Sequence, residues 1–112
     1  MINHKVKCAN FEIANNNPFT LIAGPCQLES EKHALDVSHE LKKITSELGI
    51  NLIYKTSFDK ANRTSLKGKR GIGLEKSLSI FDKIRKEVGV PVLTDVHTAE
   101  QCSVVANHVD VL

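Results

Sequence analysis

Apolar positions along the chain follow two rhythms. Runs of strand length recur at 19-FTLIAG-24, 51-NLIYKTS-57, 90-VPVLTDV-96 and 109-VDVL-112. Between them, apolar residues return at helical steps. Over 31–48 these are Leu35, Val37, Leu41, Ile44 and Leu48, with Ser30 placed to cap the start and Gly49 where a helix ends. Over 73–88 they are Leu74, Leu78, Phe81, Ile84 and Val88, followed by Gly89. A shorter helix is predicted from Thr98 to about Ala106, with Gln101 completing a capping box. Strands that are apolar on both faces and alternate with helices predict an α/β fold with a parallel sheet. Ahead of them, 5-KVKCANFEIANNNP-18 alternates weakly and holds an Asn-rich turn candidate, read as a short hairpin or arm.

An eight-unit barrel of such β/α pairs needs about 250 residues. The 112 residues supply a little under half of one. The expectation is a single domain cut short: an arm over 1–18, then the first barrel units over 19–112. It would be a fragment, a truncated product or the ordered part of something longer.

Composition narrows the partners. A net charge of +2 is too mild to argue for nucleic acid or an anionic membrane, and no apolar run is long enough to span a bilayer. The N-terminus, MINHKVKCAN, is too polar for a signal-peptide core, which leaves the cytoplasm as the default expectation. Cys8, Cys26 and Cys102 stand at unrelated spacings and fit reduced thiols better than a disulfide frame.

The candidate chemistry gathers at the predicted strand ends, where the loops of parallel α/β folds converge. Side chains alternate along a strand, so Ile53, Lys55 and Ser57 share a face, as do Leu93, Asp95 and His97. Lys55 alone is either a lysine reaching for water or an anion ligand. Lys60 and Arg63 favour the ligand, because three cations on one loop repel unless an anion joins them. Ser57, Thr64 and Ser65 add hydroxyl donors, so a carboxylate, a phosphate or both is the natural guest. Gly71-Ile72-Gly73 reads as a loop-to-helix turn rather than a phosphate cradle, and Lys67, Lys69 and Arg70 as a solvated face. Cys26, after Gly24-Pro25, is a small buried hydrophobe, a nucleophile or a metal ligand, and spacing does not decide. Cys8 and Cys102 look structural, the latter on the inner face of its helix, while His33 and His39 fall on exposed helical positions. His97 either caps the third helix or faces the site. Asp95 bonds a neighbouring loop or a ligand.

The segments AGPCQLES (23–30), KTSFDKANRTS (55–65), RGIGLE (70–75) and TDVH (94–97), in that order, resemble the 3-deoxy-D-manno-octulosonate 8-phosphate synthases. The related 3-deoxy-arabino-heptulosonate 7-phosphate synthases carry a KPR-type loop where Lys60-Ala61-Asn62-Arg63 stands, so the resemblance favours arabinose 5-phosphate over erythrose 4-phosphate. It implies a (β/α)₈ barrel, usually a tetramer, that condenses phosphoenolpyruvate with arabinose 5-phosphate in lipopolysaccharide biosynthesis. By match, Lys55, Ser57 and Lys60 would contact phosphoenolpyruvate, while Asn62 and Asp95 would contact the hydroxyl and carbonyl end of the sugar. Arg63, with Thr64, would reach the sugar phosphate in a neighbouring subunit's site. Lys60 and Asp95 would stand nearest the catalytic step. Cys26 resembles the metal-dependent class, the metal-independent members of the family carrying Asn there. It would bind a divalent ion with His, Glu and Asp ligands from beyond residue 112, and zinc, iron and manganese all tolerate such a site. Gly68-Lys69-Arg70 departs from the Ser-aromatic-Arg expected at that place. The 112-residue chain alone is expected to show no turnover. Two other readings stay open: the heptulosonate synthase, and a non-catalytic phosphate-binding half-barrel.

Overall fold

The computed structural model describes residues 2–59 and 72–112. Strands β1 (Val6–Cys8) and β2 (Phe11–Ile13) pair antiparallel, Val6 opposite Ile13 and Cys8 opposite Phe11. Their turn is Ala9-Asn10, with Ala9 at φ 50, rather than the later Asn-rich run. That run makes a second turn, Asn17 N–H donating to the Ala14 carbonyl and its side-chain amide to the Glu12 carbonyl.

The chain then alternates. Strand β3 (Thr20–Ala23) leads to helix α1 (Glu31–Leu48), and β4 (Asn51–Lys55) to helix α2 (Leu74–Lys83), which ends in a π-helical turn over Ile84–Val88. Strand β5 (Val92–Leu93) and helix α3 (Ala99–Val105) follow. Strands β3, β4 and β5 form one parallel sheet in chain order. Val111 extends that order by bridging Leu93, so the fourth predicted segment does meet its neighbour. The result is a mixed α/β fold with two small sheets.

The helix ends follow from local chemistry. Ser30 Oγ accepts from His33 N–H at 3.1 Å, and Gly49 closes α1 at φ 69. The second helix widens where Gly89 N–H reaches back five residues to the Ile84 carbonyl. There the Lys42 ammonium of α1 donates to the Val88 carbonyl, placing a cation at a helix C-terminus. In α3, Gln101 Oε1 accepts from the backbone N–H of Thr98 and of His97.

All three helices contribute to one core. Ala34, Ile80, Phe81, Ile84 and Val105 pack with Leu52, Tyr54 and Val92 of the sheet. Of the five large apolar residues that mark the face of α1, Leu35, Val37 and Leu41 pack against this core partly buried, but the deepest positions are small ones. Ala34, Ser38 and Thr45 are buried, whereas Ile44 and Leu48 are 43% and 68% exposed. Small residues let the helix sit close to the sheet, and the hydroxyls cost little because each bonds its own helix: Ser38 to the Leu35 carbonyl, Thr45 to the Leu41 carbonyl. The hairpin lies at the end where the parallel strands begin, Asn10 and Phe11 sharing a cleft with Asn51 and Pro91. Burial, then the nearby Asp110 carboxylate, pushes the Cys8 thiol up.

Tyr54 is fully buried, and its hydroxyl has no hydrogen-bond partner among the described residues. Burial pushes its pKa to about 12. The folded state therefore holds the phenol neutral. That stabilisation is complete below the ordinary tyrosine value near 10 and is lost as pH rises toward 12, by roughly 3 kcal/mol for about two units. Tyr54→Phe also removes a buried hydroxyl that is unpartnered among the described residues, so at pH 7 it should be neutral or stabilise by up to about 1 kcal/mol. Urea unfolding at pH 7 and pH 11 checks both points. A variant as sensitive to alkali as the parent refutes the assignment.

Candidate active site at the strand ends

The three parallel strands finish at one end, and main-chain bonds stitch their loops together there. Gly24 permits the first contact: a Cβ at this position would fall 1.8 Å from the Lys55 carbonyl oxygen. Two residues on, the Cys26 carbonyl accepts from Ser57 N–H at 3.2 Å, and the Ser57 carbonyl accepts from Leu28 N–H at 2.9 Å. Leu28 is fully buried and anchors that loop. Thr56 N–H donates to the Leu93 carbonyl, and Thr94 Oγ1 donates to the Thr56 carbonyl at 2.7 Å with both residues buried. A rigid floor of backbone thus lies beneath the mouth.

Side chains on this floor form a short polar chain. Ser57 Oγ donates to the Asp59 carbonyl at 2.8 Å, and His97 Nε2 stands 2.9 Å from the same oxygen. His97 Nε2 also lies 3.5 Å from Asp95 Oδ2. The other carboxylate oxygen, Asp95 Oδ1, is buried without a partner among the described residues. An acceptor left open in this way suits the hydroxyl of a ligand.

Lys55 closes β4, half-buried and level with Leu93 of β5. Among the described residues no carboxylate lies within ion-pair distance of it, and residues 60–71 contain no Asp or Glu to serve. A half-buried cation without a counter-charge suits an anionic guest. Cys26 is exposed at the same end, not a buried hydrophobe.

The structure therefore brings Cys26, Lys55, Ser57 and Asp95 to one mouth. The remaining expected site residues, Lys60, Asn62, Arg63 and Thr64, lie outside the described residues, as do Ser65 and Gly71. His97 does both things its sequence position allows, its backbone joining the start of α3 and its ring facing the mouth. Cys102 is partly exposed, its thiol 3.8 Å from the Thr98 carbonyl. Sequence reasoning missed the Asp59 carbonyl, a main-chain group that no side-chain pattern signals. It also missed the steric role of Gly24, which a glycine at a strand end hints at.

A parallel sheet backed by helices, with a cation and a carboxylate oxygen left unpartnered among the described residues at its strand ends, defines an α/β protein whose strand ends offer groups suited to an anionic small molecule. The chain belongs to the DAHP synthetase I family, whose model matches residues 3–112. It is 59% identical over 110 residues to the 2-dehydro-3-deoxyphosphooctonate aldolase of Brucella anthropi, covering 98% of this chain and 40% of that protein. The proteins of the same name from Brucella ovis and Brucella melitensis biotype 2 are 58% identical over the same share. The chain thus spans about two fifths of the length of these curated relatives. Among the described residues no helix is long and apolar enough to cross a membrane.

Proposed function

We propose that the chain forms the first β/α units of a (β/α)₈ barrel, after an N-terminal hairpin over 1–18. The whole enzyme condenses phosphoenolpyruvate with arabinose 5-phosphate and water to give 3-deoxy-D-manno-octulosonate 8-phosphate and phosphate. Its place is the cytoplasm, in lipopolysaccharide synthesis. The name shared by relatives at 58–59% identity supports the reaction. The chain-order parallel sheet, with Val111 continuing it, supports the barrel. The observation that carries the site is Lys55: a half-buried cation with no carboxylate in ion-pair distance among the described residues, at the strand end that also presents the open aspartate oxygen of Asp95.

In this reading Lys55, Ser57 and Lys60 hold phosphoenolpyruvate. Asp95 and Asn62 hold the sugar's hydroxyl and carbonyl end, the open Oδ1 of Asp95 accepting from a hydroxyl. Arg63 and Thr64 reach the sugar phosphate bound in a neighbouring subunit, which makes the enzyme a homo-oligomer, a tetramer in its usual form. The enol carbon adds to the aldehyde, water attacks the adjoining carbon, and C–O cleavage frees phosphate. Lys60 and Lys55 stabilise the negative charge that develops along this path.

Cys26 is the proposed ligand of a divalent metal ion, zinc, iron or manganese. An exposed thiol at the mouth fits that role. Among the described residues no group of three His, Cys, Asp or Glu side chains completes a site, so the other ligands come from elsewhere in the barrel. When bound, such an ion supplies positive charge to polarise the aldehyde or to activate water.

The test is phosphate release by the full-length enzyme. It should require both substrates, fall when erythrose 4-phosphate replaces arabinose 5-phosphate, and stop on chelation. Equal rates with the four-carbon sugar would move the enzyme to the heptulosonate class. Full activity after chelation would remove the Cys26 assignment.

A further inference from the structure

We propose that His97 is a positioning residue for Asp95: its ring holds one carboxylate oxygen so that the other is kept for the sugar. The proposal rests on the role given above to Asp95.

The two oxygens of this carboxylate have different surroundings. Oδ2 lies 3.5 Å from His97 Nε2, whereas Oδ1 is buried without a partner among the described residues. An aspartate alone does not make that difference, because its terminal torsion is broad and two-fold, and half a turn exchanges the oxygens. The ring makes it. Nε2 also stands 2.9 Å from the Asp59 carbonyl oxygen. A carbonyl only accepts, so Nε2 carries a proton and the ring donates. The same N–H faces Oδ2 at a longer range, where the attraction is electrostatic rather than a full hydrogen bond.

The ring is itself held in place. The backbone N–H of His97 donates to Gln101 Oε1 at 2.8 Å, which ties it to the start of α3. Its ring meets the buried Phe58 edge-on, centroids 5.8 Å apart.

The two acceptors do not depend on His97 equally. The Asp59 carbonyl also accepts from Ser57 Oγ at 2.8 Å, so it keeps a donor when the ring is lost. Asp95 has no second donor among the described residues. Loss of the ring therefore falls on the carboxylate, and through it on the sugar, rather than on the main chain after β4.

The experiment compares His97→Phe, which keeps the ring contact with Phe58 but cannot donate, and His97→Gln, whose amide nitrogen can take the place of Nε2. Both are made in the full-length enzyme. The Phe variant should raise the KM for arabinose 5-phosphate about fivefold, the effect of one lost hydrogen bond, and leave the KM for phosphoenolpyruvate within about twofold. The Gln variant should return the sugar KM to within about twofold of the parent. Equal losses in the two variants, or none in either, overturn the proposal. So does a rise for phosphoenolpyruvate that matches the sugar's, since the ring would then act through the Asp59 main chain. Nitrogen NMR of the imidazole gives a reading independent of turnover. A ring protonated on Nε2, whose signal shifts in Asp95→Asn, supports the contact. A neutral ring protonated on Nδ1, or an Nε2 signal unmoved in Asp95→Asn, overturns it. A parent enzyme that releases no phosphate from the substrate pair removes the sugar role together with the function, while the NMR signals still judge the contact.

Discussion

Replacing Gly24 with alanine is expected to cost about 4 kcal/mol or more, at the upper end of single-substitution effects. The added Cβ would sit 1.8 Å from the Lys55 carbonyl oxygen and 2.8 Å from its carbon. Both are backbone atoms of a central strand, so neither can rotate aside. Strands in a sheet lie about 4.8 Å apart, and relieving such an overlap means separating β3 from β4 by more than about an ångström. The pairing of Ile22 with Ile53 and the bond from Ser57 to the Cys26 carbonyl would be lost together. Urea unfolding should show a midpoint lower by about 2 M for typical slopes. Gly49 provides the contrast, since its Cβ meets open space and only its left-handed φ of 69 opposes a side chain. Gly49→Ala should cost about 1 kcal/mol. Similar costs at the two sites would contradict the close approach.

Lys55→Met should separate function from stability. In the full-length enzyme, loss of the ammonium should lower kcat/KM for phosphoenolpyruvate by about 10²- to 10³-fold, as for other groups that meet developing negative charge. Folding stability should hold or rise, because methionine has a similar length and replaces a half-buried cation that has no carboxylate in ion-pair distance among the described residues. Paired measurement of phosphate release and thermal midpoint decides the matter. Turnover within about threefold of the parent would exclude Lys55 from the site. A drop in both quantities would make it a structural residue.

Much of this was legible before any coordinates. The strand and helix alternation is strong because buried parallel strands and amphipathic helices leave different spacings, and Ser30, Gly49 and Gly89 mark the boundaries. The convergence of Cys26, Lys55, Ser57 and Asp95 followed from the polarity of parallel strands alone. What was not legible depends on close packing. Periodicity located α1 and the Leu35, Val37 and Leu41 that pack against the core, but not that Ala34, Ser38 and Thr45 are its fully buried residues while Ile44 and Leu48 stay exposed. The hairpin turn was expected among the asparagines, yet Ala9 adopts the left-handed backbone despite its side chain. The widened turn at Ile84–Val88 had no signature, because it arises where Gly89 and Lys42 meet the final carbonyls.

Strand β4 carries a further consequence. Tyr54 is enclosed with Phe81 and Val92, and the next residue, Lys55, stands at the mouth. Because neighbouring side chains leave a strand on opposite sides, gaining or losing one residue between Asn51 and Lys55 would trade their places. A phenol would then face the mouth while an ammonium entered the oil. Letters in this stretch can be exchanged, but a change of count turns the strand inside out, so β4 should tolerate substitution far better than a single insertion or deletion.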